Sequence, residues 1–230
     1  MSKTIVSFMV AAAGLVAAAN ADLAFSFADP TGGRQLTNTQ ANQAGPGTGV
    51  MSYDQTAVLG LFIDGSTEPN PFNFLFANAR MEMSMTVFTG TTTFGLFNAP
   101  VLGFFRIYDA TTGDTIIRGD ATGGAFIRFG GTSSILLSSD TGFMYTFGTA
   151  LNNLLTATGN TNRFPIDPQE AVFTITDAVT ATGAPIVNTV SGVVNSFAAN
   201  TSYSGNTTVP TPGAMALLGV GSLMAGRRRR

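Results

Sequence analysis

Carboxylates supply most of the reactive chemistry open to this 230-residue chain, because its thirteen Asp and Glu residues stand alongside no His and no Cys. The tripeptide Asp140-Thr141-Gly142 puts a carboxylate on a tight turn. Hydrolysis by such a group needs a second carboxylate beside it to share a proton. Ser138 and Ser139 precede the tripeptide where an apolar pair would brace an active loop. It therefore reads as a hairpin turn built on Asp and Gly. Glu68, Glu82 and Glu170 offer the general acid and base of glycoside hydrolysis. That chemistry rests on the separation of two carboxyls across a cleft, which spacing along the chain does not set. Calcium is the ion that oxygen ligands would suit. Asp109, Asp114 and Asp120 cluster around adjacent turns, and Asp167 with Glu170 forms a second local pair. Neither follows the alternating twelve-residue calcium loop. No metal or cofactor site is therefore assigned beyond these weak calcium candidates.

The missing residue types exclude a disulfide framework, a Cys or His metal site and any His-dependent triad. Gly119 to Gly124 lacks the Lys and helix of a phosphate loop. Only 10% of residues are charged, and 44% are apolar, enough for a packed core. The net charge of −2 hides an asymmetry. Lys3 lies at one end and Arg227 to Arg230 at the other; between them stand six arginines against thirteen acids, a balance of −7. An acidic body disfavours nucleic acid. The expectation is a non-enzymatic protein.

The two ends read as addresses. Lys3 is a positive start, Ile5 to Ala19 an apolar run, and Ala19-Asn20-Ala21 a small-x-small cleavage site. That order is an export signal over 1–21, cut to leave Asp22 first. At the other end Val209-Pro210-Thr211-Pro212 precedes an apolar run from Gly213 to Gly226 and then four arginines. As a helix that run spans about 21 Å, short of a bilayer core of about 30 Å unless arginines snorkel. Arg227, Arg228, Arg229 and Arg230 orient it with the basic end inside. Both ends then lie on one side of the membrane, with the body on the other.

Pro-x-Pro, apolar helix and terminal arginines together resemble the PEP-CTERM sorting signal of exported bacterial proteins, with Thr211 in place of the usual Glu. The resemblance covers the last 22 residues plus the export signal. It implies transient membrane insertion, cutting by signal peptidase and by an exosortase-type membrane protease near Pro210 to Pro212, and delivery to the cell surface or an exopolysaccharide matrix of the biofilm type.

Elements to position any site come from the body. Met81, Met83, Met85 and Val87 alternate with Glu82, Ser84 and Thr86, the period of a half-buried strand. Further strand-like runs are 23–28, 50–53, 57–64, 101–108, 115–118, 125–129, 134–137, 143–147, 171–177 and 192–198. Turn signals such as Asp64-Gly65, Thr112-Gly113-Asp114 and Thr158-Gly159-Asn160 separate them. This cadence predicts an all-β antiparallel domain over 22–199, a two-sheet sandwich or jelly-roll, flanked by the N-terminal signal helix and a C-terminal apolar helix. Residues 150–156 read as one helical turn or a short helix, 35–49 as a loop, and 69–79 as a loop or short helix. Residues 200–208 read as a polar spacer before the sorting tail, 209–230, and carry the sequons Asn200-Thr201-Ser202 and Asn206-Thr207-Thr208.

The leading expectation is a surface or matrix protein; the alternative is a carbohydrate-binding module. The module lacks Trp, and its aromatic platform would fall to Tyr53, Tyr108, Tyr145 or Tyr203. A secreted hydrolase ranks below both. Self-assembly through poorly protected strand edges is the remaining class.

Overall fold

The structure, a computed structural model, describes residues 20–28, 33–40 and 49–211. The described residues are mainly antiparallel β, with one short α-helix among them. The first strands are β1 (Asn20–Phe27), β2 (Leu36–Thr39), β3 (Gly49–Tyr53), β4 (Leu59–Gly65) and β5 (Phe72–Val87). They are followed by β6 (Thr91–Thr93), β7 (Leu96–Asp109), β8 (Thr115–Ala121), β9 (Ala125–Phe129) and β10 (Thr132–Ser138). A 3₁₀ turn (Ser139–Thr141) leads into β11 (Phe143–Phe147) and helix α1 (Thr149–Ala157). Then come β12 (Ile166–Val179), a small hairpin of β13 (Val187–Asn188) and β14 (Val193–Val194), and β15 (Phe197–Pro210).

Three long strands, β5, β7 and β15, set the topology by changing neighbours along their length. β15 keeps β12 on one edge; its other edge pairs with β2 at Phe197–Ala199 and with β1 at Tyr203–Pro210. β5 pairs with β4 at Phe72–Ala79 and with β3 at Ser84–Val87, while β7 takes its opposite edge from Ala79 to Val87. The pairing therefore closes on itself, through β5, β7, β9, β10, β12, β15, β2 and β3. Thirteen strands form one continuous network, where separately bonded sheets were expected. β5, β7 and β15, of 14 to 16 residues, outrun a single neighbour on one edge or both, so each bridges two there, whereas β12 is matched along its length by β15.

Alternation fills the interior. In β1, Ala21, Leu23, Phe25 and Phe27 are buried between exposed or half-buried neighbours. Met81, Met83, Met85 and Val87 are likewise buried, and Glu82, Ser84 and Thr86 face out. Phe25, Phe105, Phe143 and Phe173 are fully buried with Tyr145 and Tyr203, their rings meeting at 4.7–6.2 Å. Each such side chain contributes about 1.5–3 kcal/mol of burial.

Three segments differ from the sequence reading. Residues 200–208 are no spacer but most of β15, which pairs with β12, β1 and β2; Thr201 and Thr207 are buried there and satisfy their hydroxyls on the carbonyls of Thr174 and Ile166. Both sequons thus lie in a paired strand, with Asn206 exposed on its outer face. Residues 72–79, expected as loop or short helix, are the first half of β5, and β2 forms within 35–49. The short helix expected at 150–156 is α1, which buries Leu151 and Leu155. The signal helix and the apolar helix of the tail lie outside the described residues. Among the described residues no helix is long and apolar enough to cross a membrane.

Candidate functional site: the paired chain ends

β1 and β15 run antiparallel in register over eight pairs, from Phe27↔Tyr203 to Asn20↔Pro210. The expected export-signal cut and the expected sorting motif therefore face each other: Ala21 pairs with Val209 and Asp22 with Thr208. Alternation explains the register, since Ala21 and Val209 are both buried on the core face, at 1% and 0% exposure. Asp22 is tied in from two sides. Its N–H donates to Thr67 Oγ1 at 2.8 Å, and that hydroxyl donates back to the Asp22 carbonyl at 2.9 Å. Thr208 Oγ1 donates to Asp22 Oδ1 at 3.1 Å.

The last strand residue is held by a buried ion pair. Arg163 Nε donates to Glu68 Oε2 at 2.8 Å, with the two side chains 2% and 0% exposed. Arg163 Nη1 donates to the carbonyl of Pro210 at 3.0 Å. Proline brings no N–H to a ladder, so its carbonyl is the group left for tertiary contact. The other carboxylate oxygen, Glu68 Oε1, is buried without a hydrogen-bond partner. One guanidinium thus joins the β4–β5 turn, the segment before β12 and the end of β15.

Of the expected sorting residues, Val209 and Pro210 are buried strand, and Thr211 is half-buried just beyond it. Pro212, Arg227 to Arg230 and Ala19 lie outside the described residues. The expected domain limit at 199 is corrected accordingly: the folded body runs on through Pro210, because β12 and β1 both need β15 as a partner. It also includes Asn20 and Ala21, assigned by sequence to the signal. A cut after Ala21 would remove the strand partners of Val209 and Pro210.

A shallow groove of 330 Å³ crosses the outer face of β4, β1, β15 and β12, next to this junction. Phe62, Asp64, Ser204, Asn206, Glu170 and Val172 line it. Asp64 and Glu170 stand on strands three steps apart, about 14 Å between backbones at ~4.8 Å per step. The Ser66 hydroxyl and backbone N–H hold the Asp64 carboxyl below its usual range. Phe62 is 40% exposed, so a ring face is open beside these polar groups.

The other candidates are dispersed. Asp109 Oδ1 caps its own turn at the Thr111 N–H, and Asp114 lies in the β7–β8 hairpin. Asp120 is gripped by Arg118 through both carboxylate oxygens at 2.7–3.1 Å. That grip raises the Arg118 pKa further. The structure does not gather the three aspartates; among the described residues no group of three or more acids is arranged to hold a metal ion. Asp140 lies in the 3₁₀ turn, its N–H near Ser138 Oγ at 3.3 Å, as a turn acid. Glu82 lies on the outer face, 3.8 Å from Arg106. Tyr53, Tyr145 and Tyr203 are buried, which removes them from any glycan platform, and Arg106 covers Tyr108 at 4.8 Å. The Arg163–Glu68 pair went unseen in the sequence, where two lone charges 95 residues apart carry no local signal.

Compared with protein-family models, with curated proteins and with solved structures, the chain gives no match.

Proposed function

We propose that this chain is an exported, non-enzymatic protein of the cell surface or extracellular matrix, associated with exopolysaccharide and trimmed at its C-terminus by an exosortase-type membrane protease. One observation carries the reading: Asn20 and Pro210 are ladder partners, so the segments before and after the folded body leave from one pole. Two membrane-directed ends that start together can enter one membrane without stretching the domain. The rest of the body, net acidic, then projects away from it. The closed network of long strands suits a sandwich or jelly-roll whose layers share strands, a passive and stable scaffold.

The carbohydrate-binding alternative is supported by the outer groove, where Phe62 offers an apolar ring beside Ser204, Asn206 and two carboxylates. Sugars meet such sites by stacking on a ring and hydrogen-bonding around it.

Deleting residues 212–230 and fractionating the cells tests the leading reading. The truncated protein is expected to leave its normal surface fraction, and mass spectrometry of the full-length product is expected to show ends near Asp22 and Pro212. An uncut chain recovered from the cytosol would overturn it. Polysaccharide pull-down lost in Phe62→Ala, with surface delivery unchanged, favours the module.

A further inference from the structure

β5 has a naked edge. From Phe72 to Ala79 one side pairs with β4, but β7 takes the other side only from Ala79 onward. Two corners bound the open window. Asn160 Nδ2 donates to the Asn70 carbonyl at 2.8 Å, and the Ala110 N–H donates to the Asn78 carbonyl at 2.9 Å. Between them residues 71–77 have no strand on that side among the described residues. The window spans about 23 Å at ~3.3 Å per residue.

Its side chains are uncharged and, Asn73 apart, apolar. Phe74 is 40% and Leu75 54% exposed, and the Phe74 and Phe76 rings meet at 4.8 Å. No charged residue stands between Glu68 and Arg80, and Glu68 is already paired with Arg163. Exposed edges are usually blunted by charge, proline or a covering group. β11 shows such protection: Gln169 Oε1 accepts the Tyr145 N–H at 2.7 Å. The β5 window has only Pro71, at its margin.

We propose that residues 71–77 of β5 pair antiparallel with the same residues of a second copy of this chain, about a two-fold axis at Phe74. A row of free amides and carbonyls is matched by another strand, and not by a sugar polymer. Self-pairing suits this strand in particular, because an uncharged window opposes no like charges even though the body is acidic. Centring on Phe74 sets Phe72 against Phe76 of the second copy, Phe74 against itself and Asn73 against Leu75. Centring on Leu75 instead would draw in Asn78, whose carbonyl Ala110 has taken. A two-fold arrangement closes on itself and gives a dimer. The proposal is independent of where the chain is delivered.

The absence of cysteine makes the test clean. Asn73→Cys and Leu75→Cys are placed singly in the full chain, purified in detergent, mixed and mildly oxidised. Residues opposed across an antiparallel pair have Cα atoms about 4.5–5.5 Å apart, within disulfide range. The mixture is expected to give a disulfide-linked dimer and each variant alone little. Phe74→Lys, whose side chain is already partly exposed, is expected to keep the circular dichroism of the wild type and lose its dimer peak in sedimentation. A monomeric wild type, open-ended fibres, or linking at the remote site in Val190→Cys as fast as in the mixture would overturn the proposal. So would a link that forms only on deleting 212–230, which would make the chain's own tail the occupant of the edge.

Discussion

The Arg163 guanidinium donates to the Pro210 carbonyl at 3.0 Å while the same group grips Glu68 in the interior. The end of the last strand is therefore locked to a residue 47 positions earlier, and the two sides of the lock are unequal in how they fail.

Removing one partner of the pair leaves the other charge buried and uncompensated. Arg163→Met and Glu68→Met are each expected to cost about 3–5 kcal/mol in urea unfolding. Replacing both together is expected to cost less than the sum, because neither charge is then stranded. Limited proteolysis gives a second measure: cleavage near Val209 and Pro210 is expected to speed up in Arg163→Met. Additive costs in the double variant would rule out a coupled lock.

The hydroxyls of Tyr145 and Tyr203 lie 2.6 Å apart in the core, and Tyr145 also donates to the Glu170 carbonyl at 2.9 Å. With that proton committed, Tyr203 is the donor between the two. Tyr145→Phe then strands the Tyr203 hydroxyl and is expected to cost about 1–3 kcal/mol. Tyr203→Phe removes a donor only and is expected to cost about 0.5–1.5 kcal/mol. Gly205 makes room for the pair, since a Cβ there would strike both hydroxyls. Burial raises both phenols, and for Tyr145 the nearby Tyr203 adds to the shift. A raised folded-state pKa favours folding fully below the unfolded value, about 10 for tyrosine, and progressively less above it. Stability is therefore expected to fall as pH rises past about 10, with tyrosinate absorbance from these two appearing only on unfolding. Ionisation of both while the fold persists would contradict this.

Asp120 has both oxygens on Arg118, so calcium would have to displace a guanidinium to reach it. Adding calcium or a chelator is expected to leave the thermal midpoint unchanged. A ligand that bound the folded state at 100 times its Kd would add about 2.7 kcal/mol, an easily seen rise. Such a rise, lost in Asp109→Asn, would restore the Asp109, Asp114 and Asp120 site.

What local pattern could reveal was legible. The alternation of Met81 to Val87 marked a half-buried strand, and Asp64-Gly65 and Thr112-Gly113-Asp114 marked turns that the structure contains. The same logic failed at 200–208, where Asn, Ser and Thr look like a solvated linker. Thr201 and Thr207 are buried because carbonyls from β12 accept their hydroxyls, and β12 is remote in sequence. It failed again at Pro69 to Ala79, where Phe72, Phe74 and Phe76 alternate with Asn73, Leu75 and Ala77; apolar residues fall on both faces and none of the six is fully buried, so no solvent face stands out.

By itself the sequence determined the antiparallel β class, the acidic body between basic ends, and the chemistries that a chain without His or Cys must forgo. These follow from side-chain type and short-range period, which need no knowledge of neighbours. Tertiary structure alone decided that Asn20 meets Pro210, that Arg163 finds Glu68, and that residues 71–77 of β5 have no strand on one side among the described residues. Each is a long-range pairing or the lack of one, and backbone hydrogen bonds between distant strands carry no mark in the local order of residues.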